Sequence, residues 1–175
     1  TVSILRRHGS SLSWVSEPDG GQSAAVNKGW AKARGEILGW LNSDDRYAPG
    51  AVRRAVDCLQ AHPEADGVYG EAMMEEPAGA SRNPFPTAPP ITFGAFKGMG
   101  SPFAQPTVFL RRRAVERAGG LRDELQMVMD LDLWMRIARA GTFRHLQTLQ
   151  AVCLVYPETK TSRLGYLRAQ ESSRI

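Results

Sequence analysis

Sulfur and imidazole are scarce in this chain of 175 residues. It has two cysteines, Cys58 and Cys153, and three histidines, His8, His62 and His145. The cysteines form no CxxC unit and the histidines are scattered, which argues against a zinc site and suits a reducing cytoplasm. Long apolar runs are missing as well. Nothing approaches the roughly 20 residues needed to span a bilayer, and no signal-peptide pattern is visible. Concentrated charge is also lacking. The 22 Lys and Arg outnumber the 18 Asp and Glu for a net charge of +4, and their only cluster is Arg111-Arg112-Arg113. No nucleic-acid motif accompanies that cluster, so nucleic acid is not an expected partner. A weak attraction to anionic membrane surfaces or phosphorylated ligands is easier to reconcile with it. The first residue is Thr1 rather than Met, which points to a start upstream.

What is present is ordinary globular material, 42% apolar and 23% charged, and long enough for one domain with a real core. Val2 to His8 reads as a helix end closed by Gly9. The alternation in Leu12 to Ser16 predicts a short strand. Glu17-Pro18-Asp19-Gly20-Gly21 is a turn by composition. Val26, Trp30 and Ala33 form one face of a helix over Gln22 to Ala33. Glu36 to Leu41 suits a buried strand. Pro49 opens a further helix with a core face of Ala51, Val52, Ala55, Val56 and Leu59, and Asp66 to Gly70 is the next strand. This strand–helix alternation predicts an α/β fold with a mostly parallel sheet flanked by helices. Residues 77–106 break the rhythm: rich in proline and glycine, they read as a long functional or disordered connection. Thr107 to Leu110 (strand), Ala114 to Ala118 (helix), Leu131 to Ala138 (helix) and Leu149 to Tyr156 (strand) follow. The tail from Pro157 is polar and weakly patterned.

Three segments carry chemistry. Ser43-Asp44-Asp45 stands at the carboxyl end of a predicted strand, the edge where open α/β sheets bind ligands. Adjacent carboxylates repel one another, and a hard cation such as Mg²⁺ relieves that repulsion. The plainer alternative makes them polar loop residues before the Pro49 helix. Asp19-Gly20-Gly21-Gln22-Ser23 opens a helix, where backbone N–H groups favour an anion; an ordinary turn is the alternative. Met129-Asp130-Leu131-Asp132-Leu133-Trp134 puts carboxylates at a helix start, where they serve either as caps or as functional groups.

Taken together, Glu17-Pro-Asp-Gly-Gly-Gln-Ser, Asn27-Lys-Gly and Gly35-Glu-Ile-Leu-Gly-Trp-Leu-Asn-Ser-Asp-Asp45 strongly resemble the core of family 2 glycosyltransferases, and Gln105-Pro-Thr-Val-Phe109, Gly119-Gly-Leu121 and the Asp130 segment match its later part. The resemblance runs from about Val2 to Thr161. It implies a GT-A fold, here without its first strands, and inverting transfer of a sugar from a nucleotide-diphosphate sugar to a saccharide or lipid-linked acceptor. It further implies Mg²⁺ or Mn²⁺ on Asp45, with Asp44 nearer the ribose or also near the metal, in a D-x-D-like motif that reads S-D-D. Asp19, Gly20, Gly21, Gln22 and Asn27 would lie along the donor, and Asp130 would be the catalytic base. Val26 stands where many members have arginine, Met129 where they have glutamate, and Tyr156 where relatives often have histidine. The division this implies is a partial glycosyltransferase domain over 1–160 and a polar tail over 161–175. Within the domain, 1–76 is the nucleotide-sugar and metal half, 77–106 the loop, and 107–160 the acceptor and base half. A cytoplasmic site, possible at the inner membrane face, fits. Two alternatives stand beside it, a non-catalytic remnant and a nucleotidyltransferase, although the basic glycine-rich phosphate loop that the latter needs is not visible.

Overall fold

The computed structural model of the chain describes residues 1–87, 93–96 and 101–175. Among the described residues six strands form one mixed sheet: β1 (Ile37–Gly39), β2 (Arg46–Tyr47), β3 (Gly67–Glu75), β4 (Arg82–Pro84), β5 (Phe109–Arg111) and β6 (Phe143–Leu154). The order is β1-β5-β3-β6-β2, with β4 alongside β3. Among the described residues it is accompanied by the helices α1 (Val2–Arg7), α2 (Gln22–Lys32), α3 (Ala51–Ala61), α4 (Arg112–Ala118), α5 (Met129–Ala138), α6 (Lys160–Arg163) and α7 (Gly165–Ser172).

The α/β class expected from the sequence stands, but the sheet is not mostly parallel. Among the described residues only β3 and β6 pair in parallel; β1 with β5, β3 with β5, β3 with β4 and β2 with β6 are antiparallel. The cause is the placement of β5. Strands β1 and β3 both oppose β5, so they point the same way, as a strand–helix–strand unit should. The later strand β5 is wedged between them and separates the parallel pair. Leu12 to Ser16 is not a strand: it joins no ladder, and Leu12, Trp14 and Val15 are exposed. Alternation alone does not make a strand without a partner edge.

Successive strand residues face opposite sides of the sheet. Val68 and Phe109 pack with Ala55 and Leu59 of α3 on one face. Leu38, Tyr69, Leu110 and Phe143 pack on the other with Trp30 of α2, Ala114 and Val115 of α4, and Leu133, Trp134 and Ile137 of α5. Val52, placed on the core face by periodicity, is half exposed. Phe103 stacks on Tyr69 with ring centroids 4.4 Å apart and lies 4.6 Å from Trp134. It thereby fastens the end of the proline-rich connection to the core; residues 88–92 and 97–100 of that connection lie outside the described residues.

The arginine cluster is structural. Arg111 donates to the carbonyls of Leu59, His62 and Ala65 at the end of α3. Arg112 donates to those of Trp30, Ala33 and Gly35 at the end of α2. Leu59 O and Trp30 O lie in the last turns of α3 and α2, where a helix leaves acceptors without internal partners, and the cations also oppose the negative helix ends. Arg113 donates to Pro63 O. The three guanidinium groups are thus engaged by the chain itself.

Candidate active site

One large cleft, about 630 Å³, opens at the carboxyl edge of β1, β3 and β6. This edge is where peptide groups and side chains at strand ends converge in α/β sheets. The loop after β1 contributes Asn42, Ser43, Asp44 and Asp45; Cys153, Leu154 and Val155 come from the end of β6. Ser101 to Pro106 forms another wall, and Gln126 to Leu131 the floor beside α5. Lys160 and Arg168 reach the cleft from the two C-terminal helices.

Asp44 and Asp45 are both half-buried. Burial, with the neighbouring Asp44 charge added, pushes the Asp45 carboxyl up to about 6, against hydrogen bonds from the Asn42 side chain and the Leu154 backbone. Asp44 accepts a hydrogen bond of 3.3 Å from the Tyr156 hydroxyl. Burial, followed by the Asp45 and Asp44 charges, pushes the nearby Cys153 thiol up to about 12. Among the described residues no group of three or more His, Cys, Asp or Glu stands ready to enclose a metal. The donors do fit a hard cation of the Mg²⁺ type, which keeps several waters and is held by one or two carboxylates plus phosphate oxygens. Two crowded carboxylates, one of them proton-loving, are what such an ion would relieve.

Asn42 ties this loop together. Its amide oxygen accepts from Trp40 Nε1 and Gln22 Nε2, and its amide nitrogen donates to Asp45 and to Gln105 Oε1. Gln105 in turn donates to Trp40 O at 2.7 Å. Gln22 also accepts from Lys160 Nζ, so its side chain bridges the loop after β1 and the C-terminal segment.

Asp130 sits in the first turn of α5 and lines the same cleft. Its carboxylate accepts from the Leu131 N–H at 2.8 Å. Burial pushes it up to about 6 despite that hydrogen bond and the Arg168 and Lys160 charges. The helix start alone would hold it lower; desolvation wins. Asp132 is placed otherwise: buried, it is bound by Arg136 at 2.6 Å and Arg122 at 3.2 Å. It locks α5 to the turn after α4, where Arg136 also donates to Ala118 O and Gly120 O.

Of the residues singled out in the sequence, Gln22, Asp44, Asp45 and Asp130 are brought together in the cleft. Asp19, Gly20 and Gly21 are not part of its lining. Asp19 accepts from the Gly21 N–H within its own turn, and Gly21 takes a φ of 116° that favours glycine. Asn27 is turned elsewhere: it exchanges hydrogen bonds with the Leu121 N–H and C=O and donates to Asp123. Missed in the sequence were Asn42, Lys160, Arg168 and Glu171. Asn42 carried one usable signal, its place directly after a strand at the ligand edge.

Residues 1–120 match the family described as Glycosyl transferase family 2. The chain belongs to this family. A glycosyltransferase of Mycobacterium tuberculosis is 41% identical over 61 residues, covering 34% of this chain and 23% of that protein. The O-antigen biosynthesis protein RfbC of Myxococcus xanthus is 26% identical over 129 residues, covering 70% of this chain and 9% of RfbC. The chain therefore spans a minor part of these relatives. Among solved structures, Staphylococcus aureus TarS 1-349 in complex with UDP-GlcNAc superposes with a TM-score of 0.68 at 18% identity, covering 93% of this chain and 48% of TarS 1-349. The mannosyltransferase PcManGT from Pyrobaculum calidifontis, in complex with GDP-Man and Mn²⁺, gives 0.62 at 20% identity, covering 97% of this chain and 48% of that one. The fold of this family 2 domain is accordingly the GT-A fold. Among the described residues no helix is long and apolar enough to cross a membrane.

Proposed function

We propose that this domain transfers a sugar from a nucleotide-diphosphate sugar to the hydroxyl of a saccharide or lipid-linked acceptor, with inversion at the anomeric carbon. The observation that carries the reading is that Asp44, Asp45 and Asp130 share one cleft at the ligand edge of the sheet. The complexes of TarS with UDP-GlcNAc and of PcManGT with GDP-Man and Mn²⁺ support it by analogy of fold. Asp44 and Asp45 would hold Mg²⁺ or Mn²⁺, which when bound offsets charge building on the diphosphate. Asp130 takes the proton of the acceptor hydroxyl. The hydroxyl oxygen bonds to the anomeric carbon as the bond from that carbon to the diphosphate oxygen breaks, and the nucleoside diphosphate departs. Asp130 is suited to this: a carboxyl titrating near 6 is mostly ionised at neutral pH, yet more basic than an ordinary aspartate. The segment 101–106 borders the acceptor side with Phe85.

The test is a donor screen with UDP-, GDP- and dTDP-sugars plus Mn²⁺, scored for binding and for release of nucleoside diphosphate. Binding and turnover of one class is expected. Binding without turnover would identify a non-catalytic relative, and no binding of any class would refute the proposal.

A further inference from the structure

Glu171 is the least expected buried charge in the chain. It lies on the short C-terminal helix α7, in a segment whose composition suggested a polar tail, yet it is only 4% exposed. Both carboxylate oxygens are used. Oε1 accepts from the Gln126 N–H at 2.9 Å; Oε2 accepts from the Met127 N–H at 2.8 Å and the Val128 N–H at 3.2 Å. Three consecutive backbone N–H groups converging on one point form an anion-binding concavity. Here the occupant is the protein's own carboxylate, held by charge-assisted hydrogen bonds.

The segment so gripped matters by position. Gln126, Met127 and Val128 line the cleft, and Val128 is the residue immediately before α5. Two residues later comes Asp130. Burial pulls Lys160, from the same C-terminal segment, below the ordinary lysine range, with the Glu171 and Asp130 carboxylates opposing. Arg168, also from α7, lines the cleft and acts on Asp130.

We infer that Glu171 is a positioning residue: by clamping residues 126–128 it fixes the height and direction of the α5 N-terminus, and so places the Asp130 carboxylate against the acceptor. The inference rests on the sugar-transfer reading for its catalytic consequence, but the clamp itself is testable without activity. Small displacements of a reacting group cost up to about a hundredfold in rate, so the clamp should show in turnover more than in donor binding.

The experiment compares the wild-type chain with Glu171→Gln and the milder Glu171→Asp, which keeps the charge but withdraws it by one methylene. Amide hydrogen exchange reads the clamp. Residues 126–128 and the first turn of α5 should exchange at least roughly tenfold faster in Glu171→Gln, with β3 unchanged and Glu171→Asp in between. Titration of the Asp130 carboxyl by ¹³C NMR reads the placement. Its midpoint should fall in Glu171→Gln, because opening the site to water and freeing Lys160 from the Glu171 carboxylate both favour the Asp130 carboxylate. With a sugar nucleotide that the wild type turns over, kcat should fall on the order of ten- to a hundredfold, while binding of that donor with Mn²⁺ stays within about twofold.

Unchanged exchange at 126–128, equal acceleration throughout β3, or loss of donor affinity in step with kcat would each overturn the assignment. If Glu171→Gln does not fold, the same readings on Glu171→Asp decide. A wild-type chain that turns over no sugar nucleotide would sink the functional proposal, and the exchange and titration results would still judge the clamp.

Discussion

In the proposed transfer Asp130 and Asp45 would carry the chemistry at the scale of single residues, and both are raised toward 6 for the same first reason, loss of water. The signs of their pH effects follow. Asp130 must be unprotonated to act, so kcat should rise as pH climbs through about 6 and level off above it. Asp130→Asn keeps the size and removes the basicity; turnover should fall roughly 10²- to 10⁴-fold while donor affinity stays near wild type. Asp132→Asn tests the competing carboxylate: it should lower the melting temperature by breaking the Arg122 and Arg136 pairs rather than abolish turnover in folded protein. Asp45 is raised to about 6 by burial and then by the Asp44 charge, so below that pH a cation must displace a proton. Calorimetric Mn²⁺ binding in the presence of nucleoside diphosphate should therefore weaken as pH falls through about 6. Asp45→Ala should remove most of it, and equal binding by that variant would shift the site to Asp44 and Tyr156.

Elements were legible where the signal was local. Gly119 and Gly120 at the end of α4, the three-and-four spacing of Leu131, Trp134 and Ala138 in α5, and Pro49 just ahead of α3 each speak locally in the chain, and the structure follows them. The carboxylates stood out for the same reason, being set at element ends. What stayed hidden depends on distant partners. Leu12 to Ser16 alternates but has no strand beside it. The direction of β5, and with it the mixed character of the sheet, is decided by what it inserts between. Asn27 looks free in its helix, and its acceptor and donor groups lie at Leu121 and Asp123. Glu171 is one more charge in a polar stretch until its partners at 126–128 arrive. The arginine run belongs here too, since its ligands are carbonyls that no sequence displays. Replacing Arg112 by Lys would trade a planar fork spanning three carbonyls for a single ammonium. The expected loss is about 1 to 3 kcal/mol, seen as a fall of several degrees in melting temperature with donor binding retained. The same should hold for Arg111→Lys at the end of α3.

At the scale of the whole molecule, neither half of the cleft stands by itself. The family match ends at residue 120, whereas β6 begins at Phe143 and α5 at Met129. A truncated 1–120 chain would lose the strand that pairs with both β3 and β2, and is expected to show no cooperative thermal transition by circular dichroism. A sharp melt from that fragment would show that β6 is dispensable. The pairing of Gly67 with Phe143, and of Arg46 with Val152, also has a bearing on biosynthesis. The strand after Asp45 is made well before its sheet partner β6 leaves the ribosome. Until then the apolar edge of β3 has no parallel mate, and contacts between such remote stretches close slowly. The nascent chain must therefore wait, incompletely paired, until β6 is made, and during that interval exposed strand edges invite association with other chains.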